Sequence, residues 1–245
     1  MHVLIVYAHP NPQSFTHAIL ERVEGGLTEA GHTHEVTDLY AIGFDPVFTN
    51  HDFTSFIHHT VPEALLDRSR LEGVIVGSAG NPLRRFLAKR WVRDKTVADM
   101  VRLFEENQPA DVRAEQAKVA RAEGLILIAP VFWMGLPAIL KGWLERVFAY
   151  GFAYSLTPAG WDGHLEGRVP LLTQRKGLII TPTFFTEAEY DNGWRAAMDT
   201  ILCDWSLKMA GVRETEHVYF YAVVASDDAT RKTYLERAYA LGKEF

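Results

Sequence analysis

The chain has 245 residues, 48% apolar and 12% aromatic, and a formal charge of −6. These values suit one α/β domain with a full core, and they exclude a disordered polymer and a basic field for nucleic acid. The single cysteine, Cys203, excludes an internal disulfide and a thiolate zinc site built from one chain.

Val3 to Ala8 is a continuous apolar run, the pattern of a strand buried on both faces. It lacks the basic lead and cleavage site of a signal peptide. Phe15 to Ala30 carries apolar residues at helical spacing, with Gly31 as the stop. Between them lies "YAHPNPQSFTHAI". Ser14 is placed to cap the helix, the helix start offers free N–H groups, and His9 can donate to a phosphate. The stretch reads either as a phosphate site without glycine or as a stiff, capped turn.

His34 to Leu39 reads as a second strand, and an irregular stretch follows it. From about Gly80 to Gln108 the spacing gives one or two helices carrying Arg84, Arg85, Lys89, Arg90 and Arg93. This basic cluster is either a solvated face or a lid whose cations contact a phosphate. Leu125 to Ala129 is a buried strand and Leu136 to Phe148 a helix. The apolar run Leu125 to Leu140 is shorter than the roughly 20 residues a bilayer needs and is broken by Pro130 and Pro137. No membrane insertion is expected, and a cytoplasmic location is.

Gly177 to Thr181 reads as the fourth strand, Ala188 to Met209 as one long helix, Val218 to Val224 as the fifth strand, and Asp227 to Leu241 as a closing helix. Strands alternating with helices imply a parallel sheet covered on both faces. In such a sheet ligands bind beyond the carboxyl ends of the strands, where the winding reverses. The loop "APVFWMGLPAILKGW" falls there, and its amides could face the edge of a flat ring while Phe132 and Trp133 pack near it. No metal site is expected: His32 and His34 share a strand face without a third ligand, and His58 and His59 would point apart on a strand.

Three blocks carry a resemblance. "PVFWMGLPAILKGWLERVFAYGFAY" (130–154), "AHPNPQSFTHA" with His9, Ser14, Phe15 and Ala18, and "DLYAIGFDPVFTNHDF" (38–53) lie in the order found in the flavodoxin-like NAD(P)H:quinone oxidoreductases. The chain resembles a bacterial branch of that DT-diaphorase-like family. The resemblance implies a flavodoxin-like, doubly wound five-stranded parallel sheet, order 2-1-3-4-5, with a helical insertion near 80–108. It also implies a homodimer with a flavin, FAD or alternatively FMN, at the strand ends. Ser14 to Thr16 (with Phe15 between) and His9 would hold its phosphates, with Ala18 behind them. Pro130, Val131, Phe132 and Trp133 would border its ring, with Met134 close by. Trp133, Phe152 and Tyr154 would line the substrate side.

The fourth-strand loop departs from the family's Thr-Thr-Gly-Gly: this chain has Thr181-Pro182-Thr183-Phe184-Phe185. The first three are expected beside the flavin. The family's tyrosine and histidine fall at Glu189 and Arg195, with Tyr190 one residue away. Tyr190 and Arg195 are therefore the catalytic candidates, or they support the helix, and Glu189 is a substrate-side candidate. Arginine cannot release a proton as histidine can, but it can stabilise negative charge. The implied reaction moves two electrons from NADH or NADPH to a quinone-like acceptor in ping-pong order. The alternatives are an FMN-dependent azo, nitro or flavin reductase, and a non-catalytic flavoprotein regulating a membrane transporter.

Overall fold

The computed structural model describes residues 1–49, 52, 57–68 and 70–245. Part of the third resembling block (Asn50, His51 and Phe53) lies outside the described residues.

The apolar runs form the sheet. β1 (His2–Tyr7) pairs in parallel with β2 (Thr33–Asp38) on one side and β3 (Gly124–Ile128) on the other. After α1 (Phe15–Glu29), the described residues of the β2-to-β3 connection hold α2 (Glu63–Arg68), α3 (Leu71–Ser78), α4 (Pro82–Val92), α5 (Val97–Glu106) and α6 (Ala110–Arg121). α7 (Ala138–Val147) follows β3. A short antiparallel hairpin comes next, β4 (Tyr154–Leu156) and β5 (Arg168–Pro170), holding α8 (Pro158–Trp161) between its strands. β6 (Lys176–Pro182) rejoins the sheet, α9 (Glu187–Tyr190) and α10 (Trp194–Asp199) follow, and β7 (Glu214–Phe220) completes it before α11 (Asp228–Lys243). The order β2-β1-β3-β6-β7 is the expected 2-1-3-4-5 once the hairpin strands are set aside.

Alternation along the strands divides the core. Leu4, Val6, Leu125, Leu127 and Ile179 pack on one face with α7 residues Leu140, Trp143 and Val147. Val3, Ile5, Tyr7, Ile126 and Ile180 pack on the other with Ile19 and Val23 of α1 and Leu241 of α11. The helical segment has a third core of its own, including Ile57, Leu71, Ile75, Met100 and Phe104, closed by Tyr150.

Two expectations need correction, and one element has no counterpart in the sequence pattern. The long helix over 188–209 is broken after Tyr190, because Gly193 takes φ 100° and starts a new helix. That helix runs into a nine-residue π-helical stretch, Thr200–Lys208, for which we have no physical account. The fifth strand is 214–220 rather than 218–224. Its ladder to β6 begins at Glu214, and the chain has already turned by Ala222 at φ 48°. The hairpin was not anticipated. Among the described residues, no helix is long and apolar enough to cross a membrane.

Candidate functional site

The order β2-β1-β3 reverses the winding between β1 and β3, so the loops after these strands open into one crevice. β6 lies beside β3, and its loop forms the third wall.

The first wall is the start of α1. Ser14 caps it, its hydroxyl accepting from His17 N at 3.2 Å. The amides of Phe15 and Thr16 have no acceptor among the described residues, as the first turn of a helix requires. His9 is folded back, its Nδ1 accepting from Asn11 N at 3.0 Å, which leaves Nε2 to point elsewhere. The buried Nδ1 of His17 has no hydrogen-bond partner among the described residues. Ala18 is half-buried behind this turn.

The second wall follows β3. Pro130 is buried, Val131 N donates to Pro182 O, and Phe132 and Gly135 exchange backbone hydrogen bonds. The two residues inside that tight turn, Trp133 and Met134, both take left-handed conformations, φ 46° and 67°. That is costly for side chains with a Cβ, so the surrounding turn must hold them there. Their amides have no acceptor among the described residues, and the Trp133 side chain is 99% exposed. The rings of His9 and Phe132 lie 6.4 Å apart, which joins the first two walls.

The third wall follows β6. Thr183 donates its hydroxyl to Phe185 O, and Phe184 and Phe185 are exposed. Val131, Trp133, Met134, Phe184, Phe185 and Tyr190 enclose a cavity of about 270 Å³. Tyr190 is almost wholly buried. Burial raises its phenol above the ordinary value, against a hydrogen bond with Thr183, so the ring stays protonated. Tyr221 beside it is pushed up to about 12 by burial, although Arg195 lies over its ring at 5.5 Å.

Some candidates are placed elsewhere. Arg195 holds both Glu187 and Asp191 at 2.8 Å, so its charge is already answered. Glu189 is exposed and does not line the cavity. Thr181 is fully buried, its hydroxyl at 2.5 Å from His217 Nε2, beneath the sheet end rather than facing the crevice, and Pro182 is buried beside it. His217 in turn meets Asp199 at 2.8 Å, and Tyr219 donates to the same carboxylate at 2.7 Å. Burial lowers the imidazole against the pull of Asp199. Burial would raise that carboxyl, but its two donors hold it low.

Phe152 and Tyr154 lie outside the Tyr190 cavity. Tyr154 packs under Arg168, whose guanidinium carbon sits 4.2 Å from the ring centre. Arg168, which the sequence reading passed over, lines a second groove of about 390 Å³ with Met134, Leu136, Met198, Ile201 and Trp205. Met134 is shared by both spaces. His58 and His59 are also not as expected. They sit at a turn rather than in a strand, so their ring centres lie 4.1 Å apart at a tilt and both approach Glu105. Three ligand atoms there lie within 4.8 Å of one another, and His59 is already hydrogen-bonded to the carboxylate.

The donor set fits a flat, anionic cofactor. Free amides at the start of α1 suit phosphate, two free amides at Trp133 and Met134 suit the polar edge of a ring, and the exposed aromatics suit its faces.

A family model described as a flavodoxin-like fold matches residues 1–241. The chain is 32% identical over 176 residues to a ribosyldihydronicotinamide dehydrogenase [quinone] from Pongo abelii, covering 71% of this chain and 63% of the relative. It thus spans under two thirds of that relative's length. It is 24% identical over 239 residues to an uncharacterized NAD(P)H oxidoreductase of Haemophilus influenzae, covering 97% of this chain and 92% of the relative. A solved NAD(P)H:quinone oxidoreductase from Methanothermobacter marburgensis superposes with a TM-score of 0.70 at 29% identity, over 99% of this chain and 98% of that one.

Proposed function

The chain belongs to the flavodoxin-like family, and from that membership we propose that it is a flavin-dependent oxidoreductase passing two electrons from NAD(P)H to a quinone-like acceptor. The observation that carries this reading is the left-handed pair Trp133 and Met134, whose amides have no acceptor among the described residues, in the crevice that faces the start of α1. The similarity to quinone-named relatives supports the acceptor class. FAD is the flavin the sequence resemblance implies, and FMN is the alternative.

A bound flavin would supply the two-electron chemistry. The residues do the rest. The amides of Phe15 and Thr16, with His9, hold the phosphates against the positive end of α1. The amides of Trp133 and Met134 fix the ring edge. Phe132, Trp133, Phe184 and Phe185 keep water from the faces, which strengthens every electrostatic contact inside. Tyr190 keeps its proton through burial, and its hydroxyl would turn from Thr183, which already donates to Phe185 O, to donate where negative charge develops. Arg195 acts only through Glu187 and Asp191, as a positioning residue.

One cavity beside Tyr190 then serves the donor and the acceptor in turn, so the first product leaves before the second substrate enters. Initial rates with NADH and a short-chain soluble quinone test this order. Parallel double-reciprocal lines are expected, and intersecting lines would overturn it. We also propose a homodimer, with a second copy covering Ile201 and Trp205, which are 58% and 52% exposed.

A further inference from the structure

α4 does not behave as an ordinary surface helix. Asn81 caps it, accepting from Arg84 N, and Pro82 opens it. Yet it buries only Val92 fully. Its outward stripe is apolar: Leu83, Phe86, Leu87 and Trp91 are 68%, 63%, 55% and 37% exposed. Their spacing (i, i+3, i+4, i+8) puts them on one face. At 100° per residue Arg90 falls within that stripe, Arg84 and Arg93 border it, and Arg85 and Lys89 lie toward the opposite side of the helix, near the buried Val92. Among the described residues, none of these five side chains makes an ion pair or a hydrogen bond. Residues 82–93 contain no acid in a chain of formal charge −6, so the remainder carries −11. Beside the helix opens a groove of about 710 Å³, walled by Ile75, Leu87, Trp91 and Leu103, with Arg90 and Lys95 against a single acid, Asp94.

We propose that α4 docks this protein on an anionic lipid surface. The stripe would enter the boundary between headgroups and acyl chains, and Arg84, Arg90 and Arg93 would meet lipid phosphates. An exposed apolar stripe bordered by arginines suits a fluid, negatively charged partner, because Arg can keep its head among the phosphates while its stem lies on apolar matter. The acidic remainder is repelled by the same surface, which turns this helix toward it. The helix lies in the surface rather than crossing it, and the proposal does not depend on the flavin reading.

Flotation of the full chain with vesicles tests this. The vesicles are equal parts phosphatidylglycerol and phosphatidylcholine, or phosphatidylcholine alone. The protein should float with the anionic vesicles only, and added salt should release it. Arg84→Ala, Arg90→Ala and Arg93→Ala together should lower partitioning about a hundredfold, at about fivefold per cation. Phe86→Ser should lower it about tenfold. All four positions are solvent-facing, and an unchanged melting curve confirms that each variant is folded. Trp91 emission should shift to the blue on anionic vesicles, and Trp91→Phe should abolish that shift. No flotation, equal flotation on neutral vesicles, or equal flotation of the triple variant would each overturn the proposal. So would a triple variant that changes oligomeric state while floating as before, since that face would then pair copies of the chain.

Discussion

At the scale of single residues, Tyr190 and Arg195 were equal candidates in the sequence, and their surroundings separate them. Tyr190 faces the cavity from a buried position with its phenol held neutral, whereas Arg195 is engaged by two carboxylates. Tyr190→Phe keeps the ring packed against Trp194 and Tyr221 and removes only the donor. It should cut kcat by about tenfold to a hundredfold, at the lower end of what one positioned donor supplies. Arg195→Ala should change kcat less than about threefold, because surface ion pairs of this kind contribute little. Steady-state rates with saturating NAD(P)H check both, and the reverse ranking would reassign the site. The sequence could not rank the two, since the charge on Arg195 is answered by residues four and eight positions away, across a bend the helical pattern concealed.

At the scale of elements, the continuous apolar strands were legible because a strand buried on both faces must be apolar throughout. Leu125–Ala129 lands within one residue of β3, and Gly177–Thr181 lies inside β6. β7 was misplaced because its first half, Glu214 to His217, carries polar side chains where it forms the sheet edge, so hydrophobicity marked only its second half. The break before α10 was written in the sequence as Asp191-Asn192-Gly193, a turn signal that the periodicity outweighed. Invisible in one sequence was the contact between α1 and α11. A Cβ on Gly26 would lie 2.1 Å from Tyr239 O and 2.7 Å from Lys243 N, both backbone atoms. Gly26→Ala must push the helices apart, at a cost of about 1–3 kcal/mol, while the crevice on the strand ends stays intact. Urea unfolding should show a lower midpoint with unchanged cofactor affinity, and an unchanged midpoint would contradict the packing.

At the scale of the whole molecule, stability should depend on pH through the network of Thr181, His217, Asp199 and Tyr219. The folded His217 imidazole lies below its unfolded value, so the unfolded chain binds its proton first. Its stabilising contribution is complete above about pH 6.5 and is lost as the pH falls from there through the folded value. Burial shifts His58 in the same direction. Asp199, held low by its donors, adds a second loss at more acid pH. His217→Gln should flatten the first decline in a series of melting temperatures, and an unchanged slope would exclude the network as its origin. Assembly is tested separately. Trp205→Glu places a charge on the exposed groove and should shift the light-scattering mass from two copies to one. The central claim, a flavin at the strand ends, is tested most directly by the visible spectrum of the purified protein, followed by release and identification of the chromophore. A yellow protein that yields FAD and bleaches when NAD(P)H is added without oxygen is expected. A colourless protein that rebinds neither FAD nor FMN would contradict it.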